Sequence, residues 1–155
     1  MNNKFIKKAI NLAKCKSLEG TNGPFGALVV MGDKIIGKGW NRVVELNDPT
    51  AHAEIIAIRD ACKNMGTYNL SECTIYCSCE PCTMCLGAIL WARIDKIVFA
   101  CSKDDAEYAG FDDKKILQNI KNGFKKECNK WIQVDREYGM TVFESWINNP
   151  NKKSY

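Results

Sequence analysis

Apolar residues at Phe5, Ile6, Ala9, Ile10, Leu12 and Ala13 return with the period of a helix, and lysines at 4, 7, 8, 14 and 16 fall on the other side. That spacing predicts an amphipathic helix over residues 3–18, ending near Gly20. Residues 25–31 and 34–41 read instead as two strands. Gly32-Asp33 between them is a two-residue turn whose leading glycine suits a type II′ hairpin, so the strands should run antiparallel. The turn chemistry of Asn47-Asp48-Pro49-Thr50 leads into a helix over residues 51–65, with Ile55, Ile56, Ile58 and Cys62 on its buried side.

A short apolar strand over residues 73–77 precedes a helix over 81–93 that is apolar on nearly every side, the mark of an element buried from several directions. Residues 97–101 form the next strand, 112–122 a helix carrying Ile116, Leu117 and Ile120, and 131–134 a last strand. A helix between those last two strands makes their connection a crossover, so they should pair in parallel. The chain closes with a helix over 137–148, striped by Met140, Phe143, Trp146 and Ile147 and stopped near Pro150. The sum is an α/β fold: a three-layer α/β/α sandwich around a five-stranded mixed sheet.

A chain of 155 residues fits one domain, 1–155, with core enough to fold without disulfides. Charges interrupt the N-terminal residues before any apolar run of signal length, and no later stretch approaches a membrane span. A cytoplasmic location is expected, with no membrane partner. The nine cysteines are then reduced core residues or metal ligands rather than disulfide partners, and Cys15, Cys62, Cys73, Cys77, Cys101 and Cys128 read as structural. The net charge of +4 is mild and mixed with Asp112, Asp113 and Glu127; solvated helix faces account for it, and no nucleic-acid partner is expected.

His52-Ala53-Glu54 and Pro81-Cys82-Thr83-Met84-Cys85 bring in chemistry. A catalytic zinc site takes three protein ligands from imidazole and thiolate and leaves the fourth position to water. His52, Cys82 and Cys85 supply that set, and Glu54 puts a carboxylate beside it to collect a proton. Cys82 and Cys85 are three apart, on one face of the helix that Pro81 opens as its first residue, where free amides favour thiolate. Other readings exist. Cys79, Cys82 and Cys85 spell C-x-x-C-x-x-C, but an iron–sulfur run would want cysteine at Ile89 and proline at Leu90. Cys79 could instead close the shell, making the metal structural.

On these motifs, together with Gly23-Pro24-Phe25-Gly26-Ala27, Asn47-Asp48-Pro49-Thr50-Ala51, Met84-Cys85-Leu86-Gly87-Ala88-Ile89 and Gly110-Phe111-Asp112-Asp113, the chain resembles the cytidine deaminase-like superfamily almost end to end. Within it, the chain is most similar to the small bacterial guanine deaminases. The resemblance implies hydrolysis of guanine to xanthine and ammonia with one Zn²⁺ per subunit. It implies that Glu54 moves the proton of water toward the ring and leaving group, and that Asp113 is a second carboxylate beside the departing amine. Without the resemblance, Asp113 reads as a helix cap.

The same resemblance implies that Asn41 both donates to and accepts from the purine edge, and that Ala53 offers a backbone group. It further implies that Phe25 and Trp91 line or sandwich the base and that Tyr155 reaches it from the tail. Packing is the alternative for Phe25 and Trp91, and fraying for Tyr155. A homodimer is expected, with the C-terminal segment 137–155 covering the site or exchanged between subunits. Competing functions are deamination of guanosine or another aminopurine or triazine, deamination of adenosine in transfer RNA, and a noncatalytic zinc module.

Overall fold

The protein is described here from a computed structural model, which covers residues 4–123 and 132–153. The chain divides into two units, Met1–Leu117 and Gln118–Tyr155. In chain order the elements are α1 (Lys4–Ser17), β1 (Gly26–Met31), β2 (Lys34–Trp40), α2 (Val43–Leu46), α3 (Ala53–Met65), β3 (Cys73–Cys79), α4 (Thr83–Trp91), β4 (Lys96–Cys101), α5 (Lys103–Tyr108), α6 (Asp113–Lys121) and α7 (Arg136–Asn148).

The first unit is built on a sheet of order β2-β1-β3-β4, with β1 antiparallel to both β2 and β3, and β3 parallel to β4. Gly32 has φ 57 and Asp33 is not among the positive-φ residues, as a II′ hairpin between β1 and β2 requires. Strand β1 is apolar throughout because both its faces are covered. Leu28 and Val30 pack with Phe5 and Ala9 of α1. Ala27 and Val29 face the other way, into a cluster with Ala53, Ala57 and Ala61 of α3 and Ile89 of α4. Alternate residues of one strand thus serve two helical layers, and the three-layer α/β/α arrangement follows.

The mixed sheet has four strands among the described residues rather than the expected five. Trp131 lies outside the described residues, and Ile132 to Val134 join no ladder. Their alternation with Gln133 is too short to make a strand: Asp135, at φ 52, turns the chain left-handed and starts α7. The parallel pair is β3 with β4, and α4 is the crossover between them. Helix α4 also departs from its expected burial. Only Cys85 and Ile89 are buried, while Leu90 is 68% and Trp91 63% exposed, so its outer apolar face is uncovered among the described residues. Helices α2 and α5 are too short to show a period in the sequence. In the second unit α7 carries exposed Tyr138, Val142, Phe143 and Ile147. No helix among the described residues is long and apolar enough to cross a membrane.

Helix α3 lies unusually close to β2. Side-chain atoms at Gly37 would overlap the Ala57 carbonyl and the Ala61 amide, and at Gly39 they would overlap the Ala53 carbonyl and the Ala57 amide. Three alanines spaced four apart therefore meet two glycines spaced two apart, backbone against backbone. This contact sets the height of the α3 N-terminus over the sheet. Gly39→Ala should cost about 1–3 kcal/mol, the range of overpacking, read as a lower denaturant midpoint at unchanged slope. An unshifted midpoint would mean that the contact does not hold α3.

Candidate active site

Two helix starts converge in the first unit. His52 is the N-cap residue of α3 and Cys82 that of α4, both extended, at φ −69, ψ 157 and φ −67, ψ 172. Pro81 therefore precedes the N-cap instead of occupying the first helical position, which corrects the expectation from sequence. Cys85 then stands at the third helical position. N-cap and third-residue side chains lie together over the free amides of a first turn, the relation a capping box uses. The spacing of the two cysteines follows from that geometry. Ahead of His52, Asp48 Oδ1 accepts from the Thr50 N–H at 2.8 Å and its hydroxyl at 2.6 Å, and Arg42 N–H donates to Ala51 O at 2.9 Å. The entry to α3 is thus braced on the residues after β2.

His52 Nδ1 lies 3.6 Å from both Cys82 Sγ and Cys85 Sγ, and the three ligand atoms all fall within 4.8 Å of one another. Cys82 is pushed down to about 4, first by the hydrogen bond from Cys85 and then by His52, against its burial. Cys85 is correspondingly raised, holding the proton the two thiols share. His52 is raised by its contact with Cys82. One nitrogen and two sulfurs, with one thiol already acidified, make the donor set of a three-ligand zinc site. Cys79 is not part of it. Its thiol donates to Ser102 O at 3.4 Å and lines a separate cavity with Cys101 and Ala106, which disfavours a closed four-ligand shell.

Glu54, in the first turn of α3, is buried, and Cys85 Sγ donates to its Oε2 at 3.4 Å. Burial raises its pKa, so this carboxyl holds a proton more readily than a solvated one. A cavity of about 270 Å³ opens beside His52, Glu54 and Cys82. Phe25, Asn41 and Asp113 line it, and desolvation raises the Asp113 carboxyl. Asn41 Oδ1 accepts from Gly23 N–H at 3.4 Å and Val43 N–H at 3.3 Å, which occupies both lone pairs and leaves the NH₂ group for a ligand.

Three expectations fare differently. Ala53 is buried and outside the lining, although its N–H is a first-turn amide with no helical acceptor. Trp91 is exposed and does not line the cavity. Tyr155 lies outside the described residues. Sequence reasoning passed over Val43, Val44, Glu80 and Phe111, which do line it. Phe111 stands edge-on to Phe25, ring centroids 4.7 Å apart, and its place in Gly110-Phe111-Asp112-Asp113 was the signal available for it. The valines sit on the short α2, and no periodicity announces them.

Residues 1–101 match the family described as the cytidine and deoxycytidylate deaminase zinc-binding region. The chain is 46% identical over 152 residues to a guanine deaminase of Bacillus subtilis, covering 97% of each chain. The X-ray structure of guanine deaminase from that organism superposes with a TM-score of 0.92 at 44% identity, covering 100% of this chain and 99% of the other. A tRNA-specific adenosine deaminase of Buchnera aphidicola is 46% identical over 102 residues, 66% of this chain and 68% of its own.

Zinc content per chain, measured on purified protein, checks the ligand set. His52→Ala, Cys82→Ser and Cys85→Ser should each lose most of the metal, at least about tenfold in affinity, while Cys79→Ser should keep it. Loss of zinc from Cys79→Ser would restore the closed shell.

Proposed function

The chain belongs to the cytidine and deoxycytidylate deaminase zinc-binding family, and from that premise we propose that it hydrolyses guanine to xanthine and ammonia. The observation that carries this is the extent of the likeness. One tRNA deaminase covers 66% of the chain at 46% identity and another covers 84% at 40%, whereas the guanine deaminase covers 97% at 46%, including the part that follows the zinc motifs. The cavity is compatible with that reading: at about 270 Å³ it has room for a purine base.

His52, Cys82 and Cys85 would hold the zinc of this family. When bound, the metal supplies Lewis acidity that activates water near neutral pH. Glu54 would accept a proton from the attacking water on its carboxylate and deliver it to the ring, a task its raised pKa suits. Asp113, also raised, would protonate the exocyclic amine so that neutral ammonia departs as the C–N bond breaks, and the proton lost by the added hydroxyl as it becomes the product carbonyl would restore the carboxyl. The Asn41 NH₂ group meets an acceptor on the purine edge. Phe25 and Phe111 form an aromatic corner for its flat face, and base–aromatic contacts are worth ~1–3 kcal/mol each.

The protein acts in the cytoplasm, as the free thiols of its described cysteines suit, and binds a small purine rather than nucleic acid. It works as a homodimer, which would cover the apolar side chains Leu90, Trp91 and Phe99, with segment 137–155 closing its own or its partner's site.

Two measurements test this. Zinc-loaded protein should release ammonia from guanine and from guanosine at less than about a tenth of that rate; comparable guanosine turnover would overturn the free-base reading. Glu54→Gln should keep its zinc and lose at least ~100-fold in kcat, and a near-normal rate would remove Glu54 from its role.

A further inference from the structure

Lys103 and Glu80 form the most enclosed of the ion pairs among the described residues, with side chains 15% and 30% exposed. Lys103 Nζ is 2.6 Å from Glu80 Oε1, and the Lys103 backbone N–H donates to Glu80 Oε2 at 3.3 Å. Both carboxylate oxygens are thus taken by one residue. Exposed pairs are commonly worth nothing measurable, but this one is shielded and two-pronged. Glu80 stands two residues before Cys82 and lines the cavity. Its N–H donates to Cys101 O at 2.8 Å, beside the Cys79 bond to Ser102 O. Residues 79–80 and 101–103 are therefore fastened together at several points.

Helix α5 carries that fastening onward. Lys114 Nζ pairs with Asp104, and with Glu107 Oε2 at 2.7 Å, binding α5 to the first turn of α6 next to Asp113. Phe111 N–H donates to Ala106 O at 3.0 Å. The residues on either side of Asp112-Asp113 are therefore both held by α5, and α5 is held by Glu80. No other ion pair among the described residues joins the Cys82 loop to this segment.

We propose that Lys103 is a positioning residue: by pairing with Glu80 it latches α5 to the loop carrying Cys82, and so keeps Asp113 and Phe111 in the cavity wall. The proposal rests on the reading of Asp113 as the carboxyl that protonates the amine. Removing the ammonium would do two things. It would loosen α5, whose start would keep only the backbone bonds and the Cys79 contact to residues 79–80, and it would leave the Glu80 carboxylate without its counter-charge in the wall that Asp113 shares.

The test compares Lys103→Met and Lys103→Arg in zinc-loaded protein by guanine kinetics and by amide hydrogen exchange. Lys103→Met should retain zinc, lower kcat about tenfold with KM changed less than about threefold, and speed exchange across residues 103–113 about tenfold while α1 is unaffected. Lys103→Arg should stay within about threefold of the parent in every readout. In an Asp113→Asn background, Lys103→Met should cost less than about twofold more, since both changes remove the same carboxyl's contribution. A full tenfold loss there, or unchanged exchange in the single variant, overturns the latch. If Lys103→Met does not fold, Lys103→Gln takes its place with the same two outcomes. Absence of guanine turnover in the parent protein would instead defeat the deaminase reading, and the exchange comparison would still decide the latch.

Discussion

Backbone contact between α3 and β2 governs where His52 can be. Gly37 and Gly39 leave no side chain between strand and helix, and Ala53, Ala57 and Ala61 add the least bulk a helix can present. The helix consequently starts at a fixed height above the sheet, with His52 as its N-cap and Glu54 in its first turn. Helix α4, the crossover from β3 to β4, starts at the same end of the sheet, and its N-cap and third residues are Cys82 and Cys85. One packing contact and one crossover thus bring three donor atoms within 4.8 Å.

That convergence concentrates groups that a core normally excludes. A buried carboxyl, two thiols and an imidazole share one region: hydrogen bonds within the group take Cys82 down to about 4 and raise His52, and burial raises Glu54. The positive ends of two helices offset part of the cost of holding thiolate there. A divalent cation offsets more, so folding and metal binding are linked in this unit, and metal bound by the folded chain adds directly to its stability.

Legibility followed the strength of local patterns. Helices α1, α3, α6 and α7 and the β1–β2 hairpin were readable because each has a long period or a diagnostic turn, and His52, Glu54, Cys82 and Cys85 stood out because zinc chemistry restricts residue type and spacing. What depends on tertiary context was not readable. The Ile132 to Val134 alternation resembles a strand, but a left-handed Asp135 ends it. The apolar surround of α4 predicted burial, and the described structure leaves Leu90 and Trp91 exposed. Glu80, Val43 and Val44 line the cavity through loop and short-helix placement, which carries no periodic mark.

The account turns on a cation held by one imidazole and two thiolates with its remaining position open to solvent. X-ray absorption at the zinc edge of the purified protein reads that shell directly. Two sulfur neighbours at ~2.3 Å and two nitrogen or oxygen neighbours at ~2.0–2.1 Å are expected. Three or more sulfurs, or protein free of metal after reconstitution, would contradict it.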